Sequence, residues 1–297
     1  MGYFEEIFLT NTQTYLKYKL EDRLYMSTPF LLKNTNKLMG AGLLVIVCLV
    51  VLFSYVWSQA KAADERLLEQ QFSLSLVSLS QKIDARIASM KLIAKTVASD
   101  THIQNWVASG FAAHQESVLI NKLGFLVKEY GLTSASFADK NTHKYWNHEG
   151  FLRVLHPETD AWYFAYLASG ESDLVSVYHD KNKHRVDVYV NYQQPNGNGL
   201  SGIATSFDGV LDMLNNSLFA KHGDIYLVDS LGKIQVTAEE DIAGVQSLHD
   251  MFSHEMITSL LQPNSTAVIK SNQLADSWLG ASYIPNMNWY VVVKVTK

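Results

Sequence analysis

Residues 39–57, MGAGLLVIVCLVVLFSYVW, run nineteen positions without a charged side chain. A helix of that length reaches about 28 Å, enough for a hydrocarbon core of roughly 30 Å. A helix in a globular core carries an apolar stripe, not an apolar circumference. The segment therefore predicts a membrane-spanning helix. A cleaved signal peptide competes, because Ala60-Lys61-Ala62 has the small-x-small form of a cleavage site. That leader would put 38 residues before an apolar core longer than the usual length of roughly 7–15. An uncleaved anchor is expected instead.

Flanking charge orients the anchor. The preceding twenty residues carry Lys19, Arg23, Lys33 and Lys37, and the following twenty carry only Lys61 and Arg66. Basic residues stay on the cytoplasmic side. Residues 1–38 then form a cytoplasmic arm, 39–57 the span, and 58–297 an exported part in a bacterial periplasm. The single cysteine, Cys48, lies in the span, which excludes an internal disulfide framework and a cysteine zinc site. With 24 basic and 29 acidic residues there is no field to hold a polyanion, so no nucleic-acid partner is expected.

Residues 58–100 hold no Pro or Gly and read as a long stalk helix. Phe72, Leu76, Leu79, Ile83, Ile87, Met90, Ala94 and Val97 recur at steps of three and four. The stripe either covers its own domain or also pairs with a second copy. A helix follows around 117–130, and then strands and turns take over. Residues 134–138 read as a strand, 146–155 as irregular, 161–168 as a short helix, and 174–178 with 185–192 as paired strands. Residues 200–206 are a strand and 210–218 a helix. A smaller unit repeats the pattern: strands at 223–229 and 233–237, one helix over 248–261, a strand at 267–271, and a hairpin of 278–283 with 289–295. The expected division is a distal unit at 101–218 and a proximal unit at 219–297.

Catalytic signatures are few. Gly197-Asn-Gly199-Leu-Ser-Gly202 satisfies G-x-G-x-x-G, but a strand-like run follows where a phosphate-binding helix should begin, so it reads as a hairpin turn. The pairs His143/His148, His179/His184 and His249/His254 are five apart, whereas helical chelation wants three or four. No metal or cofactor is called for. Neither a G-x-S-x-G elbow nor a phosphate loop occurs, so no enzyme is expected.

Aromatic and polar side chains crowd one stretch instead. Tyr145, Trp146, Trp162, Tyr163, Phe164, Tyr166, Tyr178, Tyr189 and Tyr192 interleave with Arg153, Asp160, Asp187 and Asn191. Aromatic walls with a few convergent polar groups suit a small-ligand pocket. The bland alternative is that they form the core and edges of a sheet.

The exported part resembles the double-Cache (tandem PAS-like) sensor family of bacterial transmembrane receptors. The features are the helix after the span, the Tyr145-Trp146 pair, the Asp160-Ala-Trp162-Tyr163-Phe164 block, the strand ending Val188-Tyr-Val-Asn191-Tyr, and the closing Asn288-Trp-Tyr-Val-Val-Val293. The block looks most like sensors of diguanylate cyclases. The resemblance implies an α+β fold, with a transmembrane helix, a long stalk helix and two PAS-like units built on antiparallel sheets. It also implies a ligand in the distal unit, with Trp146, Arg153, Asp160, Trp162, Tyr163, Tyr178, Tyr189, Asn191 and Asp208 as candidate contacts. The amino-acid-binding branch has an arginine two residues before the tryptophan. Asp160 stands there in this chain, to favour an amine or other cation or only to cap the helix. Asp208 lies near the aspartate that closes that branch's last distal strand.

The expected function is an inner-membrane sensor that binds a small polar molecule and signals to a membrane protein, or to itself through a stalk dimer. The alternatives are a ligand-free interaction scaffold, or the sensory portion of a longer diguanylate cyclase, chemoreceptor or histidine kinase.

Overall fold

The computed structural model describes residues 35–180, 185–207, 223–237, 242–271 and 277–296. The chain divides into two compact units, Met1–Arg66 and Leu67–Lys297. Described residues of the first belong to helix α1, Thr35–Ala98. From Leu44 to Trp57 the large apolar side chains that are described stand more than half exposed, from 54% at Val47 to 67% at Phe53. A helix apolar on every side and covered by no protein suits a hydrocarbon surround. Among the described residues it is the one helix long and apolar enough to cross a membrane.

In the second unit the expected stripe is buried: Phe72, Leu76, Leu79, Ile83, Ile87, Met90, Ala94 and Val97 are each at most 6% exposed. It is covered within the chain, by two successive sheets. The Phe72 ring lies 6.5 Å from Trp278. Ser80 Oγ is 2.7 Å from Ser282 Oγ, and Asp84 accepts the backbone N–H of Asn286 at 2.7 Å. Further along, Arg86 donates to the Tyr130 carbonyl and to Thr205 Oγ1, at 2.9 and 3.1 Å. Lys91 pairs with Asp173 at 2.5 Å.

Asp100 ends this run by capping a helix that the sequence reading does not anticipate, α2, Thr101–Ala108. One carboxylate oxygen accepts the N–H groups of His102 and Ile103, at 2.8 and 3.1 Å. The other pairs with Lys122 on α3, Ala113–Tyr130. Eight residues are too few to show a helical period against a mixed background. Helix α3 stops at Gly131, whose φ of 57° is the left-handed geometry of a C-terminal glycine.

The first sheet comprises β1 Ser134–Asp139, β2 Lys144–Asn147, β3 Gly150–Val154, β4 Asp173–Asp180, β5 Arg185–Gln193 and β6 Gly199–Ser206. Its order is β3-β2-β1-β6-β5-β4, antiparallel throughout. Residues 146–155, expected to be irregular, instead supply most of the β2–β3 hairpin. Asn147 Oδ1 accepts from the N–H groups of Glu149 and Gly150, at 2.8 and 3.1 Å, and so tightens the turn. A register shift at Tyr145/Trp146 masks the alternation that would have marked the strand. Helix α4, Ala161–Ser169, follows β3.

The second sheet holds β7 Gly223–Val228, β8 Ile234–Thr237, β9 Thr266–Ser271, β10 Ser277–Ile284 and β11 Trp289–Thr296, in the order β8-β7-β11-β10-β9. The single helix expected over 248–261 is broken into a 3-10 turn, Leu248–Asp250, and α5, His254–Leu260. Ser253 causes the break, because its hydroxyl accepts the Met256 N–H and starts a new helix. The helix expected at 210–218 lies outside the described residues.

Candidate ligand-binding site

Alternation sorts the first sheet into two faces. Ala135, Phe137, Trp146, Val188, Val190 and Ile203 join the core formed with α1. The opposite face is polar. Ser136 stands opposite Gly202, which also faces Asn191, and Tyr145 stands between Ala138 and Arg153. Asp187 and Tyr189 share this face, and Tyr178 lies beside Asp187 on the edge strand.

A half-buried strand is expected at 185–192, yet Asp187 and Asn191 are only 2% and 4% exposed. Asp187 accepts from Thr133 Oγ1 at 3.2 Å, whereas Asn191 lies at the end of the strand closed by helix α4. Its Tyr163 and Tyr166 form a small core with Ala138, Leu155 and Leu200. The Tyr166 hydroxyl donates between the carbonyls of Ser172 and Asn191, at 2.9 and 3.2 Å, and accepts the Gln193 N–H at 3.0 Å. Burial pushes the Tyr166 and Tyr163 hydroxyls well above their ordinary pKa, so both stay protonated. Gly202 is needed here: a Cβ would come within 2.7 Å of Asn191 Oδ1 and 2.9 Å of Ser136 Oγ.

Asp160 locks the cover in place. Its carboxylate is 1% exposed. Oδ1 accepts from Arg153 Nη2 at 2.6 Å, while Oδ2 accepts from the His156 N–H at 3.0 Å and Thr159 Oγ1 at 2.9 Å. The Arg153 hydrogen bond, foremost among these, lowers its pKa from 3.8 to about 2 against the opposing effect of burial. Although Asp160 precedes α4, its side chain caps no helix N–H. The reading of Asp160 as a helix cap is thereby corrected. Burial raises the Tyr145 hydroxyl pKa, with hydrogen bonding to Ser136 and the Arg153 charge acting the other way.

Arg153, Asp160, Tyr163, Tyr189 and Asn191 are thus brought to one layer. Trp146 is not: it is 2% exposed on the α1 face, where Nε1 donates to Glu116 at 2.7 Å and the ring lies 5.0 Å from Trp106. Neighbouring residues of a strand face opposite ways, so Tyr145 takes the polar side instead. Trp162 is 47% exposed on the outside of α4, and Tyr178 is 57% exposed at the rim, 6.5 Å from Tyr189. Asp208 lies outside the described residues. Ser136, Gly202 and Tyr166 were not singled out as contacts; the serine's place in an alternating strand was the available signal.

No family model matches the chain. It is 22% identical over 272 residues to the methyl-accepting chemotaxis protein McpG of Pseudomonas putida, covering 90% of this chain and 41% of that protein. The chain therefore spans about two fifths of the length of that relative. Among solved structures it is similar to the ligand-binding domain of the Pseudomonas aeruginosa amino acid chemoreceptor PctC in complex with GABA. That likeness has a TM-score of 0.56 and 14% identity over 74% of this chain and 96% of that one. It is also similar to a domain of a sensory box/GGDEF family protein from Vibrio parahaemolyticus, with a TM-score of 0.58 and 12% identity over 77% and 96%. The fold is that of double-Cache receptor domains: a long helix followed by two antiparallel sheets.

Proposed function

We propose that the chain is a membrane-anchored sensor whose distal unit takes a small polar metabolite between the first sheet and α4. The observation that carries this reading is the polar face of buried Ser136, Asp187 and Asn191 and half-buried Tyr145 and Tyr189, beside a helix pinned by Arg153 and Asp160. Polar groups at that density are costly in a purely structural core. The half-exposed Arg153 guanidinium keeps donors free for a carboxylate, as suits the GABA bound by the PctC domain. Asp160, already paired, serves to position that arginine. Trp162 and Tyr178 form the rim.

Residues 1–38 form the cytoplasmic arm, 39–57 the span, and 101–218 and 219–297 the distal and proximal units of a periplasmic module. The stalk, 58–100, relays movement of the cover to a membrane signalling partner, to a second copy or to an output domain. The chain itself catalyses nothing in this reading. The test is a thermal-shift screen of the full chain in lipid nanodiscs against amino acids, other carboxylates, amines and nucleobases. A ligand at 100 times its Kd adds about 2.7 kcal/mol, or roughly 5–11 °C for a domain of this size. Arg153→Ala and Asn191→Ala should remove the shift given by a carboxylate hit; persistence in both variants refutes the site.

A further inference from the structure

A separate cavity of about 310 Å³ opens between α1 and the second sheet. That volume is at the small end of the roughly 300–1,000 Å³ of small-molecule sites. Its walls are rich in hydroxyls, and each hydroxyl has one hydrogen to give. Ser80 Oγ donates to the Val77 carbonyl at 3.0 Å. The 2.7 Å contact between Ser80 Oγ and Ser282 Oγ must then be donated by Ser282. By the same reasoning Thr266 must donate across the 2.9 Å contact between its Oγ1 and Ser282 Oγ. Ser265 donates to the Gln262 carbonyl at 2.8 Å, and Tyr283 to Asn288 Oδ1 at 2.9 Å. These lining hydroxyls have committed their hydrogens within the protein and present only lone pairs to the cavity.

Half-buried Asp84 adds a carboxylate to the same wall. Its Oδ1 accepts the Asn286 N–H at 2.7 Å and its Oδ2 the Asn286 side-chain amide at 2.9 Å. A carboxylate has about four acceptor sites, so about two stay open. Among the described residues no Lys, Arg or His lines the cavity. Ser80 and Ser282 are closed in, at 3% and 2% exposed, so a solute meets the outer end of their chain at half-buried Thr266. Exposed Gln81 presents its amide oxygen by a turn of its last torsion.

Lone pairs gathered round one carboxylate select a solute that is positive and rich in donors. We infer that this cavity binds a small organic ammonium with a second N–H or O–H donor, its charged head on Asp84 and its other donor on Thr266. Calcium is a poorer match, because it wants several carboxylate or carbonyl oxygens and the space exceeds what an ion needs. The occupant bridges Gln81 and Asp84 of α1 to Thr266 of β9, and so fastens the stalk to the second sheet. The residues that hold it belong to neither the first sheet nor α4, so occupancy does not depend on the ligand proposed there.

The test is calorimetric titration of the full chain in nanodiscs with ethanolammonium chloride at pH 7, beside ethylene glycol, tetramethylammonium chloride and calcium chloride. Saturable binding of ethanolammonium is expected, at least tenfold tighter than that of the uncharged glycol or of the cation without donors. Asp84→Asn, which keeps an acceptor for the Asn286 N–H, should weaken it at least tenfold. Gln81→Lys, at an exposed position of α1, should do the same by placing a positive charge beside the cavity, which keeps the test decisive should Asp84→Asn misfold. Asn191→Ala should bind ethanolammonium normally while losing any carboxylate response. Equal binding of either organic control, a response to calcium alone, no binding at all, or unchanged affinity in a folded Asp84→Asn or in Gln81→Lys each overturns the assignment. Loss in Asn191→Ala with retention in Asp84→Asn would place the amine beneath α4 and overturn it too.

Discussion

Arg153 Nη2 stands 2.6 Å from Asp160 Oδ1, joining the edge strand β3 to the residue before α4. The two ends differ in solvation: the arginine side chain is 53% exposed and the carboxylate 1%. The carboxylate depends on this pair, on the His156 N–H and on the Thr159 hydroxyl to remain charged without water. Its folded pKa of about 2 lies below the unfolded value of 3.8. The stabilisation is therefore complete above about pH 4 and lost as pH falls through about 2. A shift of that size corresponds to about 2 kcal/mol, discounted for the exposed arginine. Chemical denaturation between pH 5 and pH 2 should show this loss, and Asp160→Asn should flatten it while lowering stability at pH 7. An acid limb unchanged in Asp160→Asn would show that other carboxylates set it.

Gly202→Ala tests whether the polar face is a working surface. The added methyl would press on Asn191 Oδ1 and Ser136 Oγ. Both are side-chain atoms, so they should turn aside at a cost of about 1–2 kcal/mol. Ligand affinity should fall more than stability does. Titration of any hit, alongside the melting temperature of the apo protein, separates the two. Equal loss of both would make Gly202 a packing residue only.

Tyr166→Phe isolates what holds the cover to β5. The hydroxyl serves two carbonyls and one N–H of the backbone, those of Asn191 and Gln193 buried. Its removal leaves the Asn191 carbonyl one donor short, while the Gln193 N–H keeps the Ser172 carbonyl at 2.9 Å, at a cost of about 1 kcal/mol. Hydrogen exchange should report faster opening of 161–169 and of the Gln193 amide, with α1 unaffected. Uniform loosening of the whole unit would contradict a local cover.

Much of this arrangement is legible in the sequence because period carries it. The stripe from Phe72 to Val97 and the alternation from Val186 to Asn191 mark a buried helix face and a two-faced strand. What buries the polar face is not legible, since Asn191 meets a helix that arrives from 161–169 and Asp187 meets Thr133. Arg153 and Asp160 are visible as polar members of one stretch, but their mutual pairing depends on the β3–α4 connection. Trp146 illustrates the reverse: density along the chain groups it with Tyr145, while the pleat separates them. The break at Ser253 is a capping signal overruled by the apolar periodicity around it.

The last test concerns the stalk. Gly280 lies in the middle of β10, where a Cβ would come within 2.4 Å of Leu76 Cδ1 and 2.6 Å of Phe72 Cε1. Helix α1 thus rests directly on the sheet backbone at this point. Ser80 with Ser282, and Asp84 with Asn286, continue the seam. Gly280→Ala must push the helix outward or force Phe72 and Leu76 from their rotamers, at a cost of about 1–3 kcal/mol. The cost should fall on this seam and leave the first sheet intact. In the proposed sensor, ligand affinity would then be kept while the ligand-induced change near residue 67, read by a spin label or fluorophore at Leu68, is weakened. Retained coupling with a destabilised seam would show that the signal bypasses the second sheet and travels along α1 alone.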